Sequence, residues 1–354
     1  HVYLTTYGTL RNDVLGSAMS EDRKNGFDLV IADEIQYVKN ASSKRSQALR
    51  RLSVSRKWGL SGTPMENTPE DIVSVFRFLR PGLLREHDTP HQLRAKMAPY
   101  FLRRRKKDVL PDLPPKKRQP RWLELDADQR RAYQEWERRL RGQYMSRRRS
   151  GEGFSRVHVF AAIQKFKQIC NFAPGKQTSP KTTELHEIVD EVATSGNKVI
   201  VFSQYVDEGI GKLEGLLEPY GVAKIVGGQG RSKREREIAR FRTDEDTHVL
   251  VATVKSGGVG LTLTEASYVV HFDHWWNPAV KWQAEDRVHR PGQEASAVNI
   301  YEFWVEDTID ERIYEILERK QHLFEDIIDS QSVEGIESLL SEDDYLQILG
   351  LESA

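Results

Sequence analysis

The stretch that decides the fold is residues 249–293, VLVATVKSGGVGLTLTEASYVVHFDHWWNPAVKWQAEDRVHRPGQ. It opens with an apolar strand pattern, breaks at a glycine-rich turn, and returns to a second apolar strand before two tryptophans and a proline. The end of the stretch favours a helix, on which Arg287 and Arg290 would share one face because they are three residues apart. Guanidinium groups stay charged and match phosphate oxygens in shape, so this face suits a polyphosphate ligand.

A second informative stretch is FDLVIADEIQ, residues 27–36, in which an apolar run ends in two adjacent carboxylates. Such a run favours a buried parallel strand that delivers Asp33 and Glu34 to its carboxyl end, where open α/β sheets bind ligands. One carboxylate can hold the water shell of Mg²⁺, and the second can orient or deprotonate an attacking water. Adjacent carboxylates alone are commonly surface charge, and it is the strand before them that favours a site.

Length, charge and cysteine content narrow the class of protein. The chain has 354 residues, enough for two or three domains. Lys+Arg and Asp+Glu both number 53, so only the uneven distribution of charge is informative, with basic stretches at 103–121 and 138–149 and an acidic segment after Glu302. The single cysteine, Cys170, excludes a disulfide framework and fits a reducing compartment. No apolar run approaches the roughly 20 residues that span a bilayer and no signal peptide is visible, so we expect a soluble, intracellular protein with no membrane partner.

The central part of the chain has the pattern of a connector followed by helices. Prolines 111, 114 and 115 favour an extended connector near 110–117, because proline disfavours a helix at itself and at the residue before it. A helix capped by Asp126 or Asp128 should follow, then a basic loop, SRRRSGEG, and a second helix at about 157–172. These two helices would form a protrusion whose arginines are either phosphate contacts or a solvated surface.

The last part of the chain alternates strand and helix patterns. Short apolar strands separated by helical segments of about 10–15 residues predict a parallel sheet with right-handed crossovers. A final amphipathic helix, with Ile309, Ile313, Ile316 and Leu317 at helical spacing, should pack back as a brace. The acidic tail after it is either an interaction or autoinhibitory element for a protein partner, or a frayed end.

Taken together, these stretches resemble the motifs of the Swi/Snf family of ATP-driven double-stranded DNA translocases, within helicase superfamily two. DEIQYVKN and LSGTPMEN resemble motifs II and III, FSQY resembles motif IV, and residues 249–293 resemble motifs V and VI. TTY at residues 5–7 resembles the short DNA-contacting motif that precedes motif II. The sequence departs from the family at DEIQ, where DEAH or DEAQ is commoner, and at Thr262, where the family commonly has Asn.

The resemblance implies an α/β fold with two RecA-like parallel-sheet lobes, of which the first is incomplete, with helical protrusions and a C-terminal brace helix. We expect lobe 1 and the start of the protrusion within residues 1–110 and the linker with its helical protrusion within 111–180. Lobe 2 should occupy 181–308, and the brace helix and acidic tail 309–354.

The resemblance also implies ATP and Mg²⁺ as cofactors, with ATP hydrolysed between the lobes. Asp33 would order Mg²⁺, and Glu34 would activate water. Arg287 and Arg290 would stabilise transition-state charge on the phosphates, an effect of roughly 10³–10⁵ in rate for arginine fingers. Further implied contacts are Gly258 and Gln293 at the nucleotide. Groups that hold double-stranded DNA without reading its sequence would be Thr6, Thr63, Ser203, Gln204, Lys255, Ser256 and Trp275.

One expected element does not occur in these 354 residues. A nucleotide motor needs a glycine-rich loop ending in Gly-Lys-Ser/Thr to cradle the phosphates, and no such sequence is present in a strand context. In the family that loop lies upstream of TTY. We therefore expect the chain to begin inside lobe 1, to need the rest of that lobe from the same polypeptide or a companion chain, and to be inactive alone.

The function expected from the sequence is an ATP-hydrolysing motor that translocates on double-stranded DNA and remodels protein–DNA complexes. One alternative is a strand-separating helicase or a restriction or defence motor subunit. Another is a non-catalytic scaffold that binds DNA or a partner, although a scaffold has no need for both the acidic pair and the arginine pair. The expected location is the nucleoid-associated cytoplasm in a bacterium, or the nucleus in a eukaryote.

Overall fold

The computed structural model describes residues 1–16, 26–61, 69–102, 104, 109–151, 155–257, 261–274, 278–318 and 342–351. Contacts divide the chain into two compact units, the first within residues 1–104 and the second within 105–319 and 342–354. No helix among the described residues is both long and apolar enough to cross a bilayer.

The first unit holds two short parallel strands among helices. The bounds are β1 Leu29–Ala32, β2 Arg56–Gly59, α1 Tyr7–Leu15, α2 Lys44–Arg50, α3 Pro69–Leu79 and α4 Pro90–Met97, with 3₁₀ turns at Ile35–Val38 and Ala98–Tyr100. β1 lies within the apolar run of residues 27–36, where the sequence predicts a strand. The two strands pair in parallel, with Ile31 opposite Trp58.

One side of this small sheet is packed and the other is open. The helices bury an apolar core of Leu10, Val14, Ala32, Ile35, Val38, Ala48, Leu49, Leu52, Val75 and Phe78. On the other side, Ile31 keeps 53% and Trp58 keeps 58% of its surface exposed. Among the described residues, this two-stranded sheet therefore has one packed face and one exposed apolar face.

The first ten residues, HVYLTTYGTL, have a pattern that is typical of a strand, but they do not form one. Residues 1–6 have no regular structure, and α1 begins at Tyr7. Thr6 causes this start, because its side-chain oxygen accepts a hydrogen bond from the Thr9 amide at 3.1 Å and so caps the helix.

The second unit is built on a six-stranded, wholly parallel sheet in the order β3-β8-β7-β4-β6-β5. The strands are β3 Lys116–Leu123, β4 Val199–Ser203, β5 Val222–Ile225, β6 Val249–Thr253, β7 Tyr268–His271 and β8 Val298–Val305. Every residue of β4 and β6 is buried, which explains their continuous apolar sequences. β3 is an edge strand, and it tolerates Pro120 because an edge position has fewer backbone donors to satisfy.

Helices cover both faces of this sheet. Their bounds are α5 Ala127–Arg149, α6 Arg156–Asn171, α7 Pro180–Thr194, α8 Lys212–Leu216, α9 Arg231–Thr243, α10 Val254–Gly257, α11 Pro278–Glu285, α12 at residues 309–318 and α13 Glu342–Leu349, with a π-helical turn at Val206–Gly211 and a 3₁₀ turn at Glu218–Tyr220. Leu185 and Val189 of α7 pack on one face of the sheet, and Phe241 of α9 with Ala284 of α11 packs on the other. The predicted parallel sheet with helical crossovers is therefore confirmed.

Two predictions about the helices need separate mention. Asp126 caps α5 as expected, in a reciprocal pair with Gln129, but the helix continues to Arg149, so the basic SRRR stretch is helical rather than a loop. The predicted brace is confirmed in its described part, where Ile309 and Ile313 are buried. The Ile309 amide donates to the Tyr133 hydroxyl at 2.7 Å, which fixes the start of α12 against α5.

Candidate active site

The two predicted carboxylates form a tight turn, residues 33–34, directly after β1; we call it the acidic turn. Asp33 is exposed and Glu34 is partly buried. Glu34 has a φ of 48°, in the left-handed region, which costs a residue with a side chain about 1–2 kcal/mol. The Asp33 carboxylate accepts a hydrogen bond from the Glu34 amide at 3.0 Å, so the two residues hold one another in the turn.

Backbone contacts from the neighbouring strand stabilise this strained conformation. The Leu60 amide, just after β2, donates to the Ala32 carbonyl at 2.9 Å, and the Ile35 amide donates to the Leu60 carbonyl at 3.0 Å. A single residue of the neighbouring segment, Leu60, thus forms hydrogen bonds with the residues before and after the acidic turn. Because the contacts are backbone to backbone, they would survive changes in the Asp33 and Glu34 side chains.

Tyr7 contributes a further hold on the acidic turn. Its hydroxyl donates to the Asp33 carbonyl oxygen at 2.7 Å. Burial, followed by the negative charges of Asp33 and Glu34, raises the pKa of Tyr7 to about 12, so the donor stays protonated at neutral pH. Thr6, a predicted DNA contact, directly precedes this tyrosine and caps the same helix. The sequence motif TTY indicates a functional segment but does not predict this role of Tyr7.

The acidic turn fits the way proteins hold Mg²⁺ beside a nucleotide. Magnesium usually takes one or two carboxylates from the protein and completes its octahedron with waters and phosphate oxygens. In the described part of the chain, no group of three or more His, Cys, Asp or Glu residues could hold a metal ion. An exposed Asp33 beside a strand end supplies the carboxylate, and the remaining oxygens would come from a nucleotide and water.

The predicted arginines lie in a turn, residues 286–293, which we call the arginine turn. α11 ends at Glu285, so the expectation that Arg287 and Arg290 share a helix face is wrong. The Glu285 carbonyl accepts amide hydrogen bonds from both Val288 and His289 at 3.0 Å, which closes the helix. Pro291 then disfavours helical geometry at the residue before it, and Gly292 has a φ of 96° that a helix does not permit.

Contacts with the loop at residues 261–266 fix the arginine turn. Arg290 donates through Nη1 to the Thr262 hydroxyl at 2.9 Å and through Nε to the Asp286 carbonyl at 3.1 Å. The Arg287 carbonyl accepts the Leu263 amide at 2.8 Å. Thr262, which departs from the family pattern, therefore has a definite role as a partner of Arg290.

Gln293 closes the same turn. Its side-chain amide donates to the carbonyls of Ala266 at 2.8 Å and Val288 at 3.2 Å. Gln293 is a predicted nucleotide contact, and its side-chain amide nitrogen already donates to two backbone carbonyls. Gly258, the other predicted nucleotide contact, lies outside the described residues.

A set of charged side chains that the sequence did not single out surrounds the base of the arginine turn; we call it the Glu285 network. Its members are Lys116, Arg118, His271, Lys281, Glu285, Asp286 and Glu302. The Glu285 carboxylate is fully buried and accepts from Arg118 at 2.7 and 3.0 Å. It also lies 3.2 Å from Nε2 of His271 and 3.2 Å from Nζ of Lys116. One signal was present in the sequence, since His271 and Glu302 are polar residues in otherwise apolar strands.

The electrostatics of this network follow from burial and pairing. Burial alone would raise the pKa of Glu285, but the hydrogen bond from His271 and the charges of Arg118 and Lys116 outweigh it and hold the pKa well below its usual value. Burial lowers the pKa of His271 more than the hydrogen bond to Glu285 raises it. Glu285 is therefore ionised and His271 neutral at pH 7, which makes His271 Nε2 a neutral donor.

The predicted DNA contacts in the second unit lie at the carboxyl end of β4. Ser203 is fully buried, and its hydroxyl donates to Asp273 at 2.5 Å. The Gln204 amide donates to the other oxygen of Asp273 at 2.9 Å, and its side chain donates to the His274 carbonyl at 3.2 Å. The Ser203 hydroxyl can reach DNA only by leaving Asp273, whereas Gln204 is partly exposed.

The remaining predicted DNA contacts are only partly described. Ser256 lies in α10, next to β6, and its carbonyl accepts from Arg234 of α9 at 2.9 Å. Lys255 occupies the same helix. Thr63 and Trp275 lie outside the described residues.

The first unit thus carries an acidic turn after a parallel strand, and the second unit carries an arginine turn beside a parallel sheet with helices on both faces. Carboxyl ends of strands in such α/β sheets are where ligands bind. Residues 1–174 match the SNF2-related domain, and residues 180–292 match the helicase conserved C-terminal domain. The chain belongs to the SNF2-related family.

Individual relatives agree with this assignment. The chain is 32% identical over 365 residues to a putative ATP-dependent helicase/translocase of Bacillus subtilis, an alignment that covers 94% of this chain and 38% of that protein. It is 30% identical over 361 residues to an uncharacterized ATP-dependent helicase of Mycoplasma pneumoniae, with 97% of this chain and 34% of that protein covered. The chain thus spans little more than a third of the length of these curated relatives.

A solved structure extends the likeness to the fold. The SWI2/SNF2 ATPase core of Sulfolobus solfataricus in complex with double-stranded DNA has a TM-score of 0.55 and 29% identity with this chain. The match covers 99% of this chain and 77% of that one.

Proposed function

We propose that this chain is part of a motor that hydrolyses Mg²⁺-bound ATP, translocates on double-stranded DNA and remodels protein–DNA complexes. The observation that carries the proposal is the left-handed backbone of Glu34, at φ 48°, in a turn held by Leu60 and by Tyr7. Strain of this kind persists where the surrounding structure enforces it, and it is common at active sites. A scaffold that only bound DNA would gain nothing from holding a carboxylate in this conformation.

Each charged group then has a role set by its chemistry. Asp33 would hold Mg²⁺ through its water shell, and the ion would neutralise charge on the phosphates. Glu34 would accept a proton from, or orient, the attacking water. Arg287 and Arg290 would stabilise the charge that spreads over the phosphate oxygens in the transition state. The stable placement of both turns within their own units supports these roles, because preorganised charge acts without reorganisation at the moment of reaction.

We propose that DNA is held through its phosphates. Thr6 stands at the N-terminus of α1, where amide groups and the helix dipole favour an anion. Gln204, Lys255 and Ser256 lie at the carboxyl ends of β4 and β6, the edge at which parallel sheets bind ligands. Hydroxyls, amides and a lysine of this kind position a duplex without reading bases, which suits movement along any sequence.

The test uses the natural gene product that contains this chain. Double-stranded DNA should stimulate its ATP turnover, and Glu34→Gln should lower that turnover by about 10²–10⁴-fold while DNA binding persists. Glu86→Gln makes the same chemical change at an exposed carboxylate of the first unit, paired with Arg77, and should leave turnover within about twofold. DNA-stimulated turnover that Glu34→Gln leaves intact would contradict the proposal.

A companion measurement addresses residues 1–354 by themselves. Since no phosphate-cradling Gly-Lys-Ser/Thr loop in a strand context occurs in their sequence, we expect no DNA-stimulated turnover from them. Robust turnover that Glu34→Gln abolishes would contradict this expectation while leaving the assignment of Glu34 intact.

Translocation and strand separation are distinguished by their substrates. The natural gene product should displace a third strand from a triplex and leave a forked duplex annealed. Unwinding of the forked duplex would instead favour the helicase alternative. If ATP is neither hydrolysed nor needed for DNA binding, the scaffold alternative is the correct one.

A further inference from the structure

The proline-rich connector, residues 110–115, contacts the base of the arginine turn. Strand β3 begins at Lys116, directly after the proline-rich connector, and joins the edge of the second unit's sheet beside β8. The Pro114 carbonyl, two residues earlier, lies 2.8 Å from Nε2 of His289. Because a carbonyl only accepts, the imidazole donates this hydrogen bond. The connector therefore touches the arginine turn before the strand has begun.

Two side chains of β3 continue this contact. Lys116 donates to Asp286 at 2.9 Å and to Glu285 at 3.2 Å. Arg118 donates to both oxygens of Glu285, at 3.0 and 2.7 Å, in the paired geometry that makes arginine–carboxylate contacts directional. Its Nη1 also reaches Glu302 of the adjacent strand β8 at 2.7 Å, so the guanidinium cannot rotate without breaking two ion pairs.

Glu285 connects β3 to the backbone of the arginine turn. Its carboxylate is fully buried and is held by β3, while its carbonyl accepts the amides of Val288 and His289. Lys116 of β3 contacts Glu285 and Asp286, and the connector contacts His289. These contacts lie before and after Arg287, and the last is next to Arg290. A displacement of β3 would therefore move the backbone that carries both arginines.

We propose that Arg118 and Lys116 are positioning residues that set the place of Arg287 and Arg290 through Glu285. The inference rests on the proposed function, since it assigns the arginines a task at the nucleotide. It makes the connector part of the arginine site, and it links the path of the chain between the two units to the groups that act on phosphate.

The network's charge balance allows a structural role to be separated from a positioning role. Three carboxylates (Glu285, Asp286 and Glu302) face three cations (Lys116, Arg118 and Lys281). Removing Arg118 alone leaves a buried carboxylate short of a partner, which destabilises the unit. Removing Arg118 together with the charge of Glu285 restores the balance and leaves the Lys116–Asp286 and Lys281–Glu302 pairs.

The experiment compares four variants of the natural gene product. They are Arg118→Met, Arg118→Lys, the double change Arg118→Met with Glu285→Gln, and the control Arg121→Met. Arg121 lies on the same strand and forms an ion pair with Glu184 at 3.1 Å, away from the arginine turn. Each variant is measured for thermal unfolding, for kcat and KM in DNA-stimulated ATP turnover, and for amide hydrogen exchange of residues 286–290.

If Arg118 is a positioning residue, thermal stability and kcat should respond differently to the four variants. Arg118→Met should lower kcat by about 10–100-fold with little change in KM, because misplacement by about 1 Å costs up to 10²-fold in rate. Arg118→Lys should recover part of the loss, and Arg121→Met should stay within about twofold. The double variant should regain much of the lost thermal stability but keep the low kcat. If it instead regains full kcat, the network is merely structural and the inference fails.

Hydrogen exchange makes this test independent of the proposed function. In Arg118→Met, but not in Arg121→Met, amides 286–290 should exchange faster by about tenfold or more. Unchanged exchange at these amides would overturn the positioning role even if turnover fell. If Arg118→Met speeds exchange but the wild-type protein hydrolyses no ATP, the contact between β3 and the arginine turn is supported. The proposed function is then refuted instead.

Discussion

The acidic turn and the arginine turn present charge at the ends of parallel strands, but they are held by different means. The acidic turn is exposed and is fixed by backbone hydrogen bonds from Leu60 and by one tyrosine hydroxyl. The arginine turn is anchored by buried ion pairs that reach β3 and β8 and by a hydrogen bond from the neutral His271 of β7. Local hydrogen bonds are sufficient in the first case, because the carboxylates follow their strand directly. The arginines stand beyond the end of a helix, and their place depends on distant parts of the chain.

This difference determines what should damage each turn. Backbone contacts tolerate side-chain changes, so substitutions in the acidic turn should alter chemistry and leave the fold intact. Buried ion pairs lose their balance when one partner is removed or protonated, so the arginine turn should respond to distant substitutions and to acid.

The largest expected effect tests whether the arginine turn acts on phosphate at all. Arg290→Met should lower DNA-stimulated ATP turnover by about 10³-fold, equivalent to about 4 kcal/mol of transition-state stabilisation. Arg287→Met should have an effect of similar size, while DNA binding stays within about threefold. Turnover assays under saturating ATP measure this, with Arg121→Met as the control. A loss below tenfold for both arginines would remove them from the active site.

The next effect concerns acid, which should distinguish the two units. Burial lowers the pKa of His271 and lowers that of His274 well below 6.5, so both are neutral in the folded protein. Their contribution to stability is complete above the unfolded pKa of about 6.5 and is lost as pH falls below it. The free energy of unfolding of the second unit should therefore fall as the pH drops below about 6.5.

Urea unfolding at pH 7.5, 6.5 and 5.5 measures this slope. His271→Gln should reduce this slope, whereas His87→Gln, an exposed histidine of the first unit, should leave it unchanged. Tyr7, whose raised pKa keeps its hydroxyl protonated up to about pH 12, keeps its hydrogen bond over the whole acidic range. A second unit that is equally stable at pH 5.5 and 7.5 would contradict the neutral burial of these histidines.

The smallest expected effect concerns the side-chain hold on the acidic turn. Tyr7→Phe removes the hydrogen bond to the Asp33 carbonyl and should cost about 1 kcal/mol in the unfolding free energy of the first unit. ATP turnover should fall by no more than several-fold, because the backbone contacts of Leu60 still hold the acidic turn. Tyr3→Phe, at an exposed tyrosine packed edge-on against Phe27, is the matched control and should change neither quantity. A loss of turnover as large as that of Glu34→Gln would mean that Tyr7, not the backbone, holds the turn.

Much of the fold follows from local sequence patterns. Apolar runs predicted the strands at 29–32, 199–203 and 249–253. The last two are buried along their whole length, and strands buried on both faces must be apolar throughout. The strand at 29–32 was expected to be buried as well, but one of its faces is exposed. Asp126 was predictable as a helix cap from its position before a helical pattern. The acidic pair could be assigned to a strand end for the same reason, because its neighbours in sequence are also its structural context.

Local patterns failed where a competing contact decided the structure. The spacing of Arg287 and Arg290 favoured a shared helix face, but Pro291, Gly292 and the two amides bonded to the Glu285 carbonyl end the helix first. The apolar start HVYL suggested a strand, but the Thr6 cap starts a helix and no described strand pairs with residues 1–6.

By itself, the sequence determined which residues carry charge, which strands are buried, and where the acidic pair stands relative to its strand. Only the tertiary structure decided the partners of the arginine turn. Lys116 and Arg118 precede Glu285 by well over a hundred residues, and they meet it because the strand order β3-β8-β7 brings them to the end of α11. Periodicity acts over a few residues, whereas this contact depends on which strands become neighbours, and that is settled by packing of the whole sheet.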